Sequence, residues 1–553
     1  MADSTTTKEG SLPELLSQAL PKDSQFTFYH VSSPPTKCAA IFSAPPGARP
    51  ERTYCESHFL NVSIKPKPGD ERSTGEVLAF AIEVLIYTTS HLTTIFVSKA
   101  DSTGYISLLN LPRTQTSPLR AISSAFISWL VKHRQRPGVR LVVSLFARAQ
   151  DQYLFPGSVE NGDKHIADDT ALIKWWCKVL DPVLRDYAPE VSETGQGSLL
   201  DRQSDRTTAQ GHLVIPGLEK NDTIRFFPAT VRSDLAESKR WRHGHPLQQI
   251  SKHPSAPPRC LIPHFPDDPK SRYMDELDDE LPETGAQSLT SPSKGNGQWR
   301  SVRSLEQFWE MMSFRQECSS GRLVGFIWVI FTPPDLDDMA EDEFPGSQTE
   351  SIAEMLSPPN KFNEASEMKN RPRRRSRLTG PIVPRVPRIK SGSSKSPDKL
   401  PPVESRYYAW PASSRGQIVL EEKDYKRATD LLLHQNYANR EMAVVSTKKW
   451  IDEASVLGCT QRWGMAITGR KAAPAVETNG NGGVNMLNAS MLRKKRKPEG
   501  EESAPKTAEA VNTLPAGLVR KKAKATEESP SAAGSAEGVN VLGAGLIRRK
   551  PKA

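Results

Sequence analysis

The sequence predicts an α/β protein with a folded core and non-globular appendages, on three observations. VLAFAIEVLIYTT (Val77 to Thr89), TTIFVSKA (Thr93 to Ala100) and LVVSLFARA (Leu141 to Ala149) are rich in β-branched and apolar residues, the composition of buried strands. PLRAISSAFISWLVKH and TALIKWWCKVLDPVL instead space their apolar residues as one face of a helix does. Finally, the chain has 553 residues but is only 37 % apolar and holds 45 prolines, so a domain of catalytic size is diluted by segments too polar to build a core.

SLPELLSQAL, with Leu12, Leu15, Leu16 and Leu20, predicts a short amphipathic helix near the N-terminus. The strands at 77–89 and 93–100, separated by a short polar turn, predict a hairpin with a buried face. The next helix aligns Leu119, Ile122, Phe126, Trp129 and Leu130, and Pro118 suits its start because the first N–H of a helix has no partner anyway. After the strand at 141–149, Leu172, Trp176, Val179 and Val183 mark a second helix, kinked at Pro182. Val191 to Asp205 is polar and predicts an exposed insertion. SLEQFWEMMSFRQE (Ser304 to Glu317) predicts a helix, and LVGFIWVIF a strand.

These segments place the expected core at residues 1–331. Residues 332–403, an acidic block DLDDMAEDE followed by basic and Pro/Ser-rich runs, predict a disordered linker. Helical patterning returns from Gly416 to about Leu457, with Tyr425, Ala428, Leu431, Leu432 and Trp450 as anchors. Two short helices cannot bury themselves, so residues 404–460 are expected to pack on the core. Residues 461–553 are expected to form a disordered tail.

The formal net charge of +10 is local: RPRRRSR (Arg371 to Arg377), RKKRK (Arg493 to Lys497), RKKAK (Arg520 to Lys524) and RRKPK (Arg548 to Lys552). Such runs suit nuclear import, nucleic acid or acidic partners. The last three sit in a repeat, VNMLNASMLRKKRK, VNTLPAGLVRKKAK and VNVLGAGLIRRKPK, starting at Val484, Val511 and Val539. Too short to form cores, the repeats read as a linear motif docking an acidic-rimmed groove with gain from multivalency, or as serial nuclear-import signals. Six scattered cysteines without a C-x-x-C pair imply neither a zinc framework nor a disulfide scaffold. The start lacks a signal peptide and no apolar run reaches membrane-spanning length, so a soluble intracellular protein is expected.

Chemistry is concentrated in three islands: IFVSKADSTGY (Ile95 to Tyr105) with Asp101 and Gly104; FARAQDQYLFPGS and DKHIADDTALIKWW (Phe146 to Trp176) with Arg148, Tyr153, Lys164, His165 and Trp175-Trp176; and IPHFPDDPKSRY (Ile262 to Tyr273), where prolines flank Asp267 and Asp268. Each alone has a plain structural reading: an Asx-turn, a core tryptophan pair, a surface turn. No His/Cys/Asp cluster has metal-ligand spacing, and neither a G-x-S-x-G elbow nor a Walker loop is present. QRPGVR (Gln135 to Arg140) half resembles the phosphate loop of GNAT acetyltransferases, but Arg140 stands where a small residue is needed.

Together, IFVSKAD-x-x-GY, QYLFP-x-S with its K-H-I and K-W-W sequel, and FPDDPK-S-R-Y resemble the fungal KAT11-type histone acetyltransferases that modify lysine 56 of histone H3. The similarity covers roughly Leu12 to Phe331. It implies a mixed central sheet wrapped by helices, akin to the metazoan CBP-type enzymes, and transfer of acetyl from acetyl-CoA to a lysine amine, with no metal. The same resemblance implies Asp268 as general base with Asp267 beside it, Trp176 and Tyr153 walling the lysine channel, and Asp101 at the cofactor edge. For acetyl-CoA it implies Ala100, Asp101, Ser102, Phe146, Gln150, His165, Ile166, Ala167 and Trp175. Arg113 and Arg120 are candidates for the CoA phosphates, since arginine binds phosphate bidentately. Lys270 is implied as a site of autoacetylation. The implied partners are histones H3–H4 with NAP-type and Asf-type chaperones, in the nucleus, without a membrane or sequence-specific nucleic acid. Two rivals are a non-catalytic protein bridging chromatin and chaperones, and a small-molecule acetyltransferase.

Overall fold

Strands rich in β-branched and aromatic residues pair edge to edge into one mixed sheet. The computed structural model describes residues 10–65, 75–111, 117–190, 206–281, 298–315, 318, 321–336 and 400–472. Its strands are β1 (Gln25–Ser32), β2 (Thr36–Cys38), β3 (Thr53–Ile64), β4 (Val77–Thr88), β5 (Leu92–Ser102), β6 (Arg140–Ala147), β7 (Ala188–Pro189), β8 (Thr208–Val214), β9 (Trp241–His243), β10 (Gly325–Thr332), β11 (Ile418–Val419) and β12 (Met465–Thr468). Across the sheet the order is β11-β1-β3-β4-β5-β6-β10-β8-β7, with β12 beside β1, β2 beside β3 and β9 beside β8. The pairs β4–β5, β6–β10 and β10–β8 are antiparallel, and β5–β6 is parallel. The helices of eight residues or more are α1 (Leu12–Ala19), α2 (Pro118–Arg134), α3 (Asp169–Arg185), α4 (Pro269–Asp278), α5 (Leu305–Met312), α6 (Glu422–Leu433) and α7 (Arg440–Leu457).

Side chains alternate along a strand, so the sheet has two faces to cover. On one, Val84 of β4, Ile95 and Val97 of β5, Val143 of β6 and Ile327 of β10 pack with Leu16 of α1, Phe126 of α2 and Ile173 and Val179 of α3. The other face is covered in parts. Val142, Phe326 and Trp328 lie with Tyr273 and Met274 of α4 and Phe308 of α5. Tyr29, Phe59 and Val77 lie with Tyr425 and Leu432 of α6 and Trp450 of α7. Between these two, Phe265 covers Tyr87 and Phe96. Each such large side chain contributes about 1.5–3 kcal/mol when fully buried.

The expected hairpin is β4–β5, and the expected helices at Leu12, Pro118 and Trp176 are α1, α2 and α3, the last continuing through Pro182 to Arg185. The helix expected over 304–317 stops at Met312, where the Ser313 hydroxyl donates back to the Glu310 carbonyl. The 191–205 insertion, most of the 332–403 linker and the three C-terminal repeats lie outside the described residues.

A buried polar chain ties the first strands to the last segment. His30 and His58 share a ring hydrogen bond of 3.0 Å, His58 meets Glu56 at 2.8 Å, and Arg134 Nε donates to Glu56 at 2.7 Å. Arg134 also donates to Ser414 Oγ at 2.5 Å, and Arg136 to the Tyr407 carbonyl at 2.9 Å, so α2 and the turn after it hold the returning chain. All four side chains from His30 to Arg134 are buried. Burial would raise the Glu56 carboxyl, but Arg134 and His58 outweigh it and hold it below the usual carboxylate range. Burial, reinforced by the Arg134 cation, holds the imidazoles of His30 and His58 below the ordinary value.

Two outcomes follow. Arg134→Met leaves Glu56 buried without its cation and lowers stability in urea unfolding by about 3–5 kcal/mol. The two imidazoles give a pH dependence of definite sign. The unfolded chain protonates them below about pH 6.5 while the folded one resists, so the unfolded state binds more protons there. Stability is therefore full above that pH and lost as pH falls through it, by up to about 1.4 kcal/mol per pH unit for each imidazole. Urea midpoints on either side of neutrality measure it.

Candidate active site

The pairing of β4 with β5 decides which residues reach the site. Val84 pairs with Val97, but Glu83 pairs with Lys99, so Ser98 is an extra residue in β5. Such a bulge reverses the face on which the following side chains emerge. Before it, Ile95 and Val97 point into the core beneath α2 and α3; after it Ala100 does, and Lys99 and Asp101 turn to the opposite face beside Glu83.

Asp101 then organises the loop between β6 and α3. Its Oδ2 accepts the backbone N–H groups of Tyr153, Leu154 and Phe155 at 2.7, 2.9 and 3.3 Å. Its Oδ1 accepts from Ser102 N–H at 2.7 Å and from Lys164 Nζ at 3.0 Å, and Lys164 also reaches Ser158 Oγ at 2.7 Å. Gly104 has φ +89°, and a Cβ there would stand 2.6 Å from the Lys164 backbone nitrogen, so only glycine permits this approach. With both oxygens occupied, Asp101 is an anchor of the loop rather than a free proton acceptor.

The loop is pinned elsewhere too. Asp168 caps α3 by accepting from Ala171 N–H at 2.6 Å. Asp169 accepts from Ala149 N–H at 3.1 Å, Leu323 N–H at 3.0 Å and Arg322 Nε at 2.8 Å. From the C-terminal block, Tyr437 N–H donates to the Pro156 carbonyl at 2.8 Å and its ring meets Phe155 edge-on at 4.9 Å.

The Asp-Asp stretch docks on the same face as Asp101. Phe265 stacks on Phe96 of β5 with centroids 4.2 Å apart and planes 7° from parallel, and its N–H donates to Ser271 Oγ at 2.8 Å. Asp268 caps α4: Oδ1 accepts the Lys270 N–H at 2.9 Å and Oδ2 pairs with the Lys270 ammonium. Both are interior, 1 % and 2 % exposed, and the ammonium lies 4.5 Å from the Phe326 ring centroid. Burial lowers the Lys270 amine below its ordinary value despite the opposing pull of Asp268. Asp268 was expected to be the general base, yet an incoming amine reaches it only by parting this pair.

Asp267 is the carboxylate that solvent reaches, with 53 % of its side chain exposed. It sits at φ +58°, a left-handed conformation that Asp tolerates better than most residues. Lys99 Nζ lies 3.3 Å from its Oδ2 and 3.3 Å from Glu83 Oε2, and the Tyr425 hydroxyl donates to Glu83 Oε1 at 3.3 Å. Burial and then the charge of Asp267 raise the Tyr153 phenol above its ordinary value.

The remaining expected residues divide between the faces. Phe146 pairs with Phe326 and packs near Phe96 on the Asp267 side. Gln150, His165 and Ile166 are exposed on the loop, and Ala167 and Trp175 are half-buried at the start of α3. Trp176, expected to wall the channel, is largely buried against the core beneath α3 and meets the Trp175 ring edge-on at 4.8 Å. Arg120 lines a groove of about 650 Å³ between α1, α2 and α3 with Lys132 and Lys178. Arg113 lies outside the described residues. Sequence reading missed Glu83, Lys99 and Arg322; a lone charge inside each of the apolar runs AFAIEVLIY and TIFVSKA is the signal that could have found the first two.

A family model for the histone acetyltransferase KAT11-type domain matches residues 12–140 and 136–453. This chain belongs to the KAT11-type histone acetyltransferase family. A histone acetyltransferase rtt109 from Aspergillus flavus is 42 % identical over 566 residues, covering 93 % of this chain and 99 % of the relative. The rtt109 of Schizosaccharomyces pombe is 31 % identical over 320 residues, 57 % of this chain and 70 % of that one. The crystal structure of Rtt109 from Aspergillus fumigatus superposes with a TM-score of 0.67 at 44 % identity, covering 83 % of this chain and 99 % of the other. The chain is therefore an enzyme, a histone acetyltransferase, which excludes the non-catalytic and small-molecule readings. KAT11-type enzymes, like other histone acetyltransferases, use acetyl-CoA as co-substrate. Among the described residues no helix is long and apolar enough to cross a membrane, and no three His, Cys, Asp or Glu side chains cluster as a metal site.

If Asp101 anchors the loop, Asp101→Ala leaves Lys164 a buried unpaired cation and destabilises the protein by about 3–5 kcal/mol. Amide exchange at Tyr153, Leu154 and Phe155 should accelerate before that of the central strands.

Proposed function

We propose that this enzyme acetylates lysine 56 of histone H3, on H3–H4 presented by NAP-type and Asf-type chaperones, in the nucleus during replication-coupled nucleosome assembly and the response to DNA damage. The observation that carries the reading is one exposed carboxylate, Asp267, held 3.3 Å from the Lys99 ammonium on the sheet face from which Asp101 anchors the loop. The basic C-terminal repeats belong to the same proposal as docks for acidic chaperone surfaces.

Acetyl-CoA supplies the thioester that the amine attacks. The chain's own surface suits such a co-substrate: exposed Ile166 and half-buried Trp175 offer apolar area, and Gln150 and His165 are exposed hydrogen-bonding groups on the same loop as Ile166. Ala100, Ser102, Ala167 and Phe146 complete the set we assign to it, with Arg120 and Arg113 assigned to its phosphates.

A lysine amine has an ordinary pKa of about 10.4, so it must lose a proton before it attacks. Asp267 takes that proton, directly or through one water, and Tyr153 offers its face to the alkyl-ammonium stem. An ordinary carboxylate is a weak base, so positioning by the pinned loop and exclusion of water carry much of the acceleration. Lys270 autoacetylation fits the same scheme, because burial lowers that amine below its ordinary value and eases the loss of its proton.

With acetyl-CoA, H3–H4 and either chaperone, mass spectrometry should find acetyl on lysine 56; acetylation confined to other lysines would overturn the substrate assignment. Asp267→Asn should lower kcat by about 10²-fold. Asp268→Asn should act chiefly by lowering stability, since it breaks the buried pair with Lys270.

A further inference from the structure

Glu83, Lys99 and Asp267 form a chain of three charges in which one cation stands between two carboxylates, 3.3 Å from each. Glu83 is fixed from behind by the hydroxyl of Tyr425 on α6, and Lys99 is delivered to this face only by the bulge at Ser98. We propose that Lys99 is a positioning residue for acetyl transfer, holding Asp267 in its left-handed turn at the mouth of the acceptor site. The inference rests on the reading of Asp267 as the group that receives the proton.

Three considerations support it. Asp267 is half exposed on a turn, so its backbone alone does not fix where the carboxylate points; the Lys99 ammonium does. Remove that ammonium and Glu83 faces Asp267 across an empty position, where like charges oppose each other and drive one carboxylate toward protonation or outward to solvent. Burial works against the Lys99 charge, but Glu83 and Asp267 outweigh it and hold the amine above its ordinary value, so it stays cationic. The cation facing Asp267 is thus Lys99 on β5, with Glu83 behind it on β4.

The test uses the full chain with acetyl-CoA and H3–H4. Lys99→Met should lower kcat about 10- to 100-fold while the KM for acetyl-CoA stays within about twofold, because a misplaced reacting group costs rate and not cofactor binding. Lys99→Arg, which keeps the cation, should recover most of kcat. In a double-mutant cycle, Lys99→Met combined with Asp267→Asn should be no slower than Asp267→Asn alone, since Lys99 acts through that carboxylate. Multiplying losses in the double variant would overturn the proposal, as would wild-type kcat in Lys99→Met. If Lys99→Met does not fold, Tyr425→Phe, which removes one hydroxyl, takes its place: a kcat loss that vanishes in the Asp267→Asn background supports the proposal, and a loss that persists there overturns it. A slow Asp267→Asn beside a fully active Lys99→Met removes only the positioning role, whereas a fully active Asp267→Asn removes the proton-acceptor reading itself.

Discussion

The site depends on one extra residue in a strand. Without the bulge that Ser98 makes, regular alternation of the same sequence would carry Lys99 and Asp101 into the apolar core that takes Ile95 and Val97. With it, both emerge on the face where Glu83, the loop and the Asp-Asp stretch meet. The bulge is not free of cost: the Ser98 hydroxyl is buried without a hydrogen bond, a penalty of about 1–3 kcal/mol. A feature that costs stability at this position is best understood by what it aims, and here it aims two charged side chains at once.

Buried ion pairs recur around that point, Asp101 with Lys164 and Asp268 with Lys270 near the site, Glu56 with Arg134 farther along the sheet. Pairs of this kind return little net stability, because desolvation offsets the attraction. What they give is geometry: a carboxylate with both oxygens occupied cannot drift, and the backbone it holds cannot either. Asp267, unlike its neighbour, has an exposed side chain, and exposure separates a scaffold carboxylate from one that a substrate can meet.

Much of this was legible in the sequence and some was not, for reasons that are physical. The β4–β5 hairpin, α2 and α3 were legible because their periodicity is strong and their ends carry Pro118 and Asp168. β1 and β3 were not, since strands covered on both faces lose the alternation that marks them: Phe28 and Tyr29 are adjacent, both buried, and on opposite sides. The islands that hold the site were visible as motifs, yet the division of labour inside them was not. Asp267 and Asp268 read alike until a cap and a lysine claim one of them. Trp176 could be placed on the apolar face of a helix, but not on a particular face of the sheet.

The C-terminal helices belong to this argument as much as the motifs do. Tyr425 reaches Glu83, Tyr437 holds the loop at Pro156 and Phe155, and the Thr447 hydroxyl accepts the Leu78 N–H at 2.9 Å where β4 begins. Asp101 grips the loop from the sheet, and Tyr437 grips it from the C-terminal block. A loop held from only one side would keep a soft direction of motion, and a misplacement of about 1 Å is enough to cost a reaction two orders of magnitude. The segment that returns after the linker is therefore part of the catalytic unit, and the site is assembled from residues as far apart in the chain as Glu83 and Tyr437.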